Sequence, residues 1–343
     1  MRTTRRTAPL LSLVCGLFTL ASALAAVPAL GLKALALPGS PGRVAMDYLA
    51  VDLARSQVWV PAGNTGKVDV VDSRTFTMRS VDGFATVEKN GRALGPSSVC
   101  VGEGYAYVGN RANSEVCAVD VKTLKRAGCV TLASSPDGVA CVAPTHELWV
   151  TTPHDSSLTL LDVSAPAAPK LKEVLHLEGE PEGYAVDVQH GRFFTNLEDK
   201  DATLVFDVKS HQLIARWEPN CGSAGPRGLV IDSERQILVV ACTDHLVSLK
   251  ADKDGQRLGT FPTGNGLDNI DYAPSAHTLF AAAGKSGNLT LVKLAANGTM
   301  TALSTTPTSP GTRVVVVDAS GKAFVADSAR GRLLVSQMPA PAP

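Results

Sequence analysis

The feature that most constrains the fold of this chain is a motif that recurs seven times, about 45 residues apart. Self-similarity at such a period is the signature of propellers and other repeat architectures. Seven units of this length account for almost all residues that follow the N-terminal segment, so the repeats themselves must build the fold. Each copy holds a bulky apolar pair at the end of a short apolar run, and these pairs begin at Trp59, Tyr107, Trp149, Phe193, Val239, Leu279 and Phe324.

Four short apolar runs alternate with turn-forming residues inside each unit. A Pro or Gly precedes a run that ends near Asp, as in "DYLAVD" and "GLVID", and a polar turn then leads to the bulky pair. A loop rich in Gly, Asn and Asp leads to a third run, such as "KVDVVD", and a turn such as "VKSHQ" leads to a fourth. Val- and Leu-rich runs of this kind, bounded by turn residues, are typical of β-strands. No window keeps a helical period over three turns.

Four antiparallel strands in each of seven units predict an all-β protein, a seven-bladed β-propeller of four-stranded antiparallel blades. A single four-stranded sheet cannot bury both faces, whereas sheets packed radially against their neighbours can. The structural alternative is a solenoid of tandem sheets. The last unit has strands near 314–317, 323–326 and 333–335 but lacks a fourth, and "LKALAL" at residues 32–37 precedes the first unit. We therefore expect this N-terminal strand to close the last blade.

The first residues have the pattern of a secretory signal peptide. Arg2, Arg5 and Arg6 precede an apolar stretch that is too short to span a membrane, and small residues follow at 23–25. We predict a signal peptide over residues 1–26, the propeller over 27–338 and a Pro/Ala tail over 339–343. The expected location is periplasmic or secreted, and general or twin-arginine export both remain open.

Charge and hydropathy limit the class of partner. Removal of the three N-terminal arginines leaves 29 basic and 32 acidic side chains, a net charge of about −3. This balance argues against nucleic-acid binding through bulk charge. No second apolar run approaches the length of a membrane span, and we expect a monomer.

Six cysteines follow the predicted signal peptide, and export would permit disulfides. We predict a Cys221–Cys242 bond, because the start of an inner strand lies beside the end of its hairpin partner. Cys117 and Cys129 fall nearly opposite each other across one hairpin, and they are the second candidate for a disulfide. Cys100 and Cys141 lie on inner strands of neighbouring blades, and we expect buried free thiols there. The alternative is that all six are reduced. No C-x-x-C occurs, so no zinc ribbon is indicated.

Several units resemble those of a known family. The segments "VWVPAGNTGKVDVVD", "LWVTTPHDSSLTLLDV" and "RFFTNLEDKDATLVFDVKSHQLIARW" are similar to those of the YVTN-repeat, YncE-like propellers of exported bacterial proteins, which are WD40-like in architecture. The resemblance implies a scaffold with several uses. Related propellers include 6-phosphogluconolactonase-like enzymes and the haem-bearing domain of nitrite reductase.

The candidate site is one mouth of the central channel. In a propeller, the loops that enter each inner strand and the loops between second and third strands surround one mouth, the usual ligand site. The residues that begin the seven inner strands are Asp47, Ser97, Asp137, Glu182, Arg227, Asp268 and Arg313. From this ring and the loops we select as ligand-binding candidates Asp47, Asp137, Glu182, Arg227, Asp268, Arg313, His154 and His245.

The chemistry of this ring allows three interpretations. Arginine forks suit a carboxylate or phosphate ligand, and clustered carboxylates suit Ca²⁺. The third interpretation is a self-neutralising ring of ion pairs. We interpret most other loop residues, Arg111 among them, as turn-forming. Segment 82–95 is the largest interruption of the repeat, and we expect it on the same face. If the ring residues do not hold the ligand, this segment is the next candidate for the site.

No catalytic set is visible in the sequence. It has no G-x-S-x-G, no phosphate-binding Gly-rich loop and no histidine pair with metal spacing. This favours a non-catalytic periplasmic propeller that binds a small ligand or a protein partner at its mouth, without a cofactor or metal. The first alternative is a lactonase- or lyase-type enzyme that uses a mouth acid or His154 with Arg227. The second is a cofactor-bearing electron-transfer propeller.

Overall fold

Seven four-stranded antiparallel sheets form the ring of a β-propeller in the computed structural model, which describes residues 29–40, 42–252 and 254–337. The predicted signal peptide (1–26) and tail (339–343) lie outside these residues. Across the described segments, no helix has both the length and the apolar character needed to cross a membrane. The predicted fold class is confirmed.

The sheets are named blades 1–7 in chain order of their inner strands. Blades 1–3 consist of β2 (Ala50–Asp52), β3 (Gln57–Ala62), β4 (Lys67–Asp72) and β5 (Met78–Val81); β8 (Pro96–Gly102), β9 (Tyr105–Asn110), β10 (Glu115–Asp120) and β11 (Arg126–Thr131); and β12 (Val139–Val142), β13 (Glu147–Thr152), β14 (Ser157–Asp162) and β15 (Lys170–His176). Blades 4–6 consist of β16 (Pro181–Asp187), β17 (Arg192–Leu197), β18 (Ala202–Asp207) and β19 (Leu213–Trp217); β20 (Leu229–Asp232), β21 (Ile237–Ala241), β22 (His245–Lys250) and β23 (Arg257–Pro262); and β24 (Leu267–Ala273), β25 (Thr278–Ala283), β26 (Asn288–Leu294) and β27 (Met300–Pro307). Blade 7 consists of β28 (Val315–Val317), β29 (Lys322–Asp327), β30 (Arg332–Gln337) and β1 (Leu32–Ala36).

Short 3₁₀ turns occupy several of the connections. They span Gly63–Thr65, Ala143–Thr145, Pro153–Asp155, Glu198–Lys200, Gly222–Ala224, Pro274–Ala276 and Ser328–Arg330.

The N-terminal strand closes the ring, as predicted. Strand β1 pairs antiparallel with β30, with Leu32 opposite Ser336 and Ala36 opposite Arg332. The Leu37 amide adds a hydrogen bond to the Gly331 carbonyl, 3.0 Å away. The two ends of the described chain therefore share one sheet.

The repeated bulky pair is explained by where the cores lie. Seven apolar clusters occur in the described part of the chain, one at each interface between adjacent blades. Consecutive residues of a strand point to opposite faces of its sheet. Phe193 accordingly packs in the cluster shared with blade 3 and Phe194 in the cluster shared with blade 5. One pair on each second strand thus fills the interfaces on both sides of its blade.

The long interruption at 82–95 forms a small hairpin outside the seven blades. Its strands are β6 (Val87–Lys89) and β7 (Arg92–Leu94), and their side chains are mostly exposed. At its base, Gly95 lies so close to the Gly63 carbonyl that a Cβ at this position would overlap that oxygen. Only glycine, which lacks a Cβ, therefore fits where the base of the hairpin meets the loop between β3 and β4.

Three disulfides join the six cysteines. The predicted pairs Cys221–Cys242 and Cys117–Cys129 are both present. The expectation of free thiols at Cys100 and Cys141 is wrong, because these residues form the third bond. Strands β8 and β12 are inner strands of neighbouring blades, and the two Cα atoms lie 5.8 Å apart, within the bridging range. The two strands belong to different sheets and do not pair with each other. Strand pairing therefore could not show from the sequence that Cys100 and Cys141 are close.

Candidate functional site

The site is built from the residues at the starts of the inner strands. Four of the predicted candidates, Asp47, Asp137, Asp268 and Arg313, come together at one mouth of the channel, where arginines link them. Each enters from a different blade, so the ring itself assembles residues that lie far apart in sequence. We call this face the mouth.

Arg111 is the residue of this site that the sequence interpretation missed. It follows β9, and its Nη2 atom lies 2.9 Å from Asp47 Oδ2 and also contacts Asp137. Burial lowers the pKa of Arg111, but the carboxylates of Asp47 and Asp137 outweigh it and raise that pKa. A signal for this role existed, because blade 2 offers only the uncharged Ser97 at the start of its inner strand.

Arg313 extends the same network to the next blade. Its Nη1 atom lies 2.7 Å from Asp268 Oδ2, and its Nη2 atom lies 3.8 Å from Asp47 Oδ1. A continuous chain of alternating charges therefore runs from Asp137 through Arg111, Asp47 and Arg313 to Asp268. Opposite charges at these distances in a part-buried site hold one another in place.

Glu182 and Arg227 lie at the mouth but outside this chain of contacts. Arg227 pairs with Glu198, and its Nη2 atom donates to the Ala224 carbonyl over 3.3 Å. No hydrogen bond or ion pair reaches the Glu182 side chain from residues 29–40, 42–252 or 254–337. Burial, followed by the charges of Asp137, Asp268 and Asp47, raises the pKa of Glu182 to about 9. The Glu182 carboxyl is therefore protonated at neutral pH.

Burial also raises the pKa of Asp268, to about 6, although Arg313 acts in the opposite direction. Burial is likewise the largest influence on Asp137, whose pKa is raised despite its contact with Arg111. Desolvation disfavours the charged form of each carboxyl, and the nearby arginines recover only part of that cost.

The two candidate histidines lie apart from the network. His154 is exposed in the 3₁₀ turn Pro153–Asp155, and in the described segments it has no hydrogen bond or ion pair. His245 begins β22, and its Nδ1 atom lies 2.6 Å from Asp244 Oδ1. Neither histidine lines the cavity beside the network.

That cavity, the mouth cavity, has a volume of about 570 Å³ and lies beside blades 7, 1 and 2. Segments 91–97 and 43–47 form much of its wall, so the hairpin that interrupts the repeat borders it, as the sequence interpretation allowed. Its charged lining residues are Arg43, Asp47, Arg92, Arg111 and Arg313. Arg43 and Arg92 are exposed, and their guanidinium groups form no ion pair with the described residues.

Two tyrosines cross the channel below the mouth. Tyr48 precedes β2 of blade 1 and Tyr184 belongs to β16 of blade 4, yet their rings stack with centroids 5.6 Å apart and planes 15° apart. The Tyr184 hydroxyl donates to the Val139 carbonyl over 2.6 Å. The Tyr48 hydroxyl is buried close to Asp137 without a partner of hydrogen-bonding geometry in the described structure. Burial, followed by the charge of Asp137, raises the pKa of Tyr48.

The fold and this site define the class of protein: a seven-bladed β-propeller with a network of part-buried charges at one mouth of its channel. Among solved structures, it is similar to streptogramin B lyase, with a TM-score of 0.70 and 10% identity over 90% of this chain and 98% of that one. A catalytically inactive virginiamycin B lyase from Staphylococcus aureus with quinupristin gives a TM-score of 0.71 and 11% identity over 90% and 99%. A chain of a mitotic checkpoint complex gives 0.74 and 15% over 98% and 99%.

No protein-family model matches the chain, and no curated protein matches its sequence. At identities this low, the likeness to solved structures shows the fold alone.

Proposed function

We propose that this protein is an exported, non-catalytic propeller that binds a small anionic ligand in the mouth cavity. The observation that carries the proposal is the charge of the cavity wall, where four arginines face a single carboxylate, Asp47. Guanidinium groups bind carboxylates and phosphates through paired hydrogen bonds. A volume of about 570 Å³ suits a small molecule.

The four arginines fall into two pairs with different roles. Arg111 and Arg313 are held by the acids of the network and present a fixed surface. Arg43 and Arg92 are exposed and have no ion pair within the described chain, so their charge is available to a ligand. A ligand with two anionic groups, such as a dicarboxylate or a phosphorylated acid, would use both pairs.

Export is part of the same proposal. The three disulfides are typical of an oxidising, extracellular-type compartment. The signal-peptide pattern of residues 1–26 supports periplasmic location or secretion. The repeat segments quoted above support membership of the YVTN-repeat, YncE-like propeller family. We favour binding over lactonase- or lyase-type catalysis because His154 is exposed outside the cavity and Arg227 is paired with Glu198.

The test begins with native mass spectrometry of small molecules retained by the exported protein. Calorimetric titration with citrate, succinate and inorganic phosphate follows, with succinamide as the uncharged counterpart of succinate. We expect an anion to bind and the Arg43→Gln/Arg92→Gln variant to bind it at least tenfold more weakly, a loss of about 1.4 kcal/mol.

The matched control is Arg79→Gln/Lys209→Gln, which removes the same charge from exposed positions outside the cavity lining. An equal loss in both double variants would mean that the anions respond to overall charge, and the proposal would fail. It would also fail if no retained or added anion bound.

A further inference from the structure

A second cavity lies on the other side of the Tyr48–Tyr184 stack. Its volume is about 490 Å³, and the two tyrosines form part of its wall. Other lining residues come from the ends of inner strands, such as Ile231 and Val317, and from the turns that follow them, such as Ser275. The inner strands start at the mouth, so this cavity opens toward the opposite face of the ring. We call it the distal cavity.

Its charge is the reverse of that of the mouth cavity. The lining includes no Lys, Arg or His, and its charged residues are Asp271 and Asp318. Asp318 is satisfied by its own turn, because its Oδ1 atom accepts from the amides of Ser320 and Lys322 and from the Ser320 hydroxyl. Most of the remaining wall is aliphatic or aromatic.

Asp318 also lies 3.9 Å from the Lys322 ammonium group through its Oδ2 atom, whereas no cation accompanies Asp271. Its Oδ2 atom accepts from the Val317 amide at 2.7 Å, and its Oδ1 atom accepts from the Tyr272 amide at 2.8 Å. No Lys, Arg or His within the described ranges forms an ion pair with it. Burial raises the pKa of Asp271 to about 6, so it is still a carboxylate at neutral pH. A half-buried charge without a counterion in a cavity wall favours the binding of a cation.

Asn269 places a donor in the wall of the same cavity. It lies two residues before Asp271 on β24, in an irregularity of the pairing with β25, and both residues line the distal cavity. Its Nδ2 atom is buried and has no hydrogen-bond partner in the part of the chain that the structure describes. A buried donor without a partner in a cavity wall is a point at which a ligand acceptor would be stabilised.

We propose that the distal cavity is a binding site for a small organic cation, a protonated amine attached to an apolar body. The ammonium group pairs with Asp271, and Asn269 Nδ2 donates to an acceptor on the ligand where one is present. The apolar body packs against the largely aliphatic wall. The site is independent of the anion site proposed at the mouth.

The test uses phenethylamine as the probe, in calorimetric titration of the full exported protein at neutral pH. Two probes of similar shape serve as references: 2-phenylethanol, which is neutral, and 3-phenylpropionate, which is an anion. We expect phenethylamine to bind at least tenfold more tightly than 2-phenylethanol and 3-phenylpropionate to show no binding at this site. Equal affinity for the amine and the alcohol would overturn the proposal.

Two variants locate the site. Asp271→Asn removes the charge, and Val230→Phe fills space at a half-buried position of the wall. Each should weaken phenethylamine binding at least tenfold, whereas Asp244→Asn, an equal loss of charge at the mouth face, should not. Unchanged binding in either folded site variant would refute the proposal. If Asp271→Asn fails to fold, Val230→Phe and the comparison of amine with alcohol decide.

Discussion

Tyr48 and Tyr184 stack on each other from opposite sides of the seven-bladed ring, 5.6 Å between ring centroids. Inner strands of blades 1 and 4 are not neighbours, so this contact exists only because the rings cross the channel. The stack separates the mouth cavity, whose charged lining residues are four arginines and Asp47, from a distal cavity whose charged lining residues are acidic. The channel therefore provides two chemically different cavities.

The hydroxyl groups of these tyrosines should contribute differently to stability. Tyr184→Phe removes a hydrogen bond to the Val139 carbonyl and should cost about 1 kcal/mol. Tyr48→Phe removes a buried hydroxyl without a partner of hydrogen-bonding geometry and should be neutral or stabilising. Urea unfolding of both variants measures the difference. Equal losses would mean that Tyr48 does donate a hydrogen bond, to Asp137.

Deletion of residues 30–37 should open the ring. It removes β1, the outer strand of blade 7, and exposes the edge of β30 to pairing with other chains. We expect a lower melting temperature and aggregation, measured by calorimetry and light scattering. Replacement of 87–94 by a short Gly-Ser linker is the control, because this hairpin lies outside the blades and should leave the melting temperature nearly unchanged. Identical melting of the deletion and the full chain would reject the closing role of β1.

Arg111→Gln should destabilise the fold, because it leaves the part-buried carboxylates of Asp47 and Asp137 without their shared cation. We expect a loss of about 3 kcal/mol in the free energy of unfolding. Arg216 also contacts two carboxylates, Glu178 and Glu218, but on the exposed surface. Arg216→Gln should therefore change stability by less than about 1 kcal/mol. Similar losses in the two variants would show that burial of the network contributes little.

The protonated state of Glu182 predicts a pH dependence. Its pKa is about 9 in the folded protein against an ordinary 4.5, so between these values the unfolded chain releases a proton that the folded chain retains. The stability of the wild type should therefore fall as pH rises through this window, and that of Glu182→Gln should fall less. We expect the difference in free energy of unfolding between the wild type and Glu182→Gln to change by at least about 1 kcal/mol across this pH window. This change is roughly the equivalent of one pKa unit.

Asp268→Asn gives the reference for this pH series. Because the pKa of Asp268 is about 6, its contribution to the change of stability with pH should end near pH 6. Asp268→Asn should therefore leave the pH dependence above that value unchanged. Parallel pH profiles for the wild type and Glu182→Gln between pH 6 and 9 would contradict a protonated Glu182.

Peptide mapping of the non-reduced exported protein should yield three cross-linked peptides, including one that joins Cys100 to Cys141. The sequence separation of 41 residues makes this the largest of the three loops. Its removal by Cys100→Ala/Cys141→Ala should cost about 4 kcal/mol in the chain-entropy model. Alkylation of free thiol at either position in the wild-type protein would exclude the bond.

The parts of the structure that follow from local pattern were predictable from sequence. Strand runs, the seven-fold period and the missing fourth strand of the last unit all lie in the order of residues, and so does the hairpin geometry that pairs Cys117 with Cys129. Contacts between blades or across the channel were not predictable in this way. The Cys100–Cys141 bond, the two contacts of Arg111 and the Tyr48–Tyr184 stack depend on how the ring curves, which the periodicity does not specify.

The number of blades has a consequence for the charges at the mouth. Taking Arg111 for blade 2, the charged residues from blade 7 around to blade 6 are Arg313, Asp47, Arg111, Asp137, Glu182, Arg227 and Asp268. Signs can alternate around a closed ring only when its members are even in number, so a ring of seven must contain at least one pair of neighbours with like sign. Here that pair is Asp137 and Glu182, and the mismatch is relieved when Glu182 keeps its proton, as its pKa of about 9 indicates. An odd number of blades thus places two acidic neighbours at the mouth, where burial and then the charge of Asp137 favour the protonated form of Glu182.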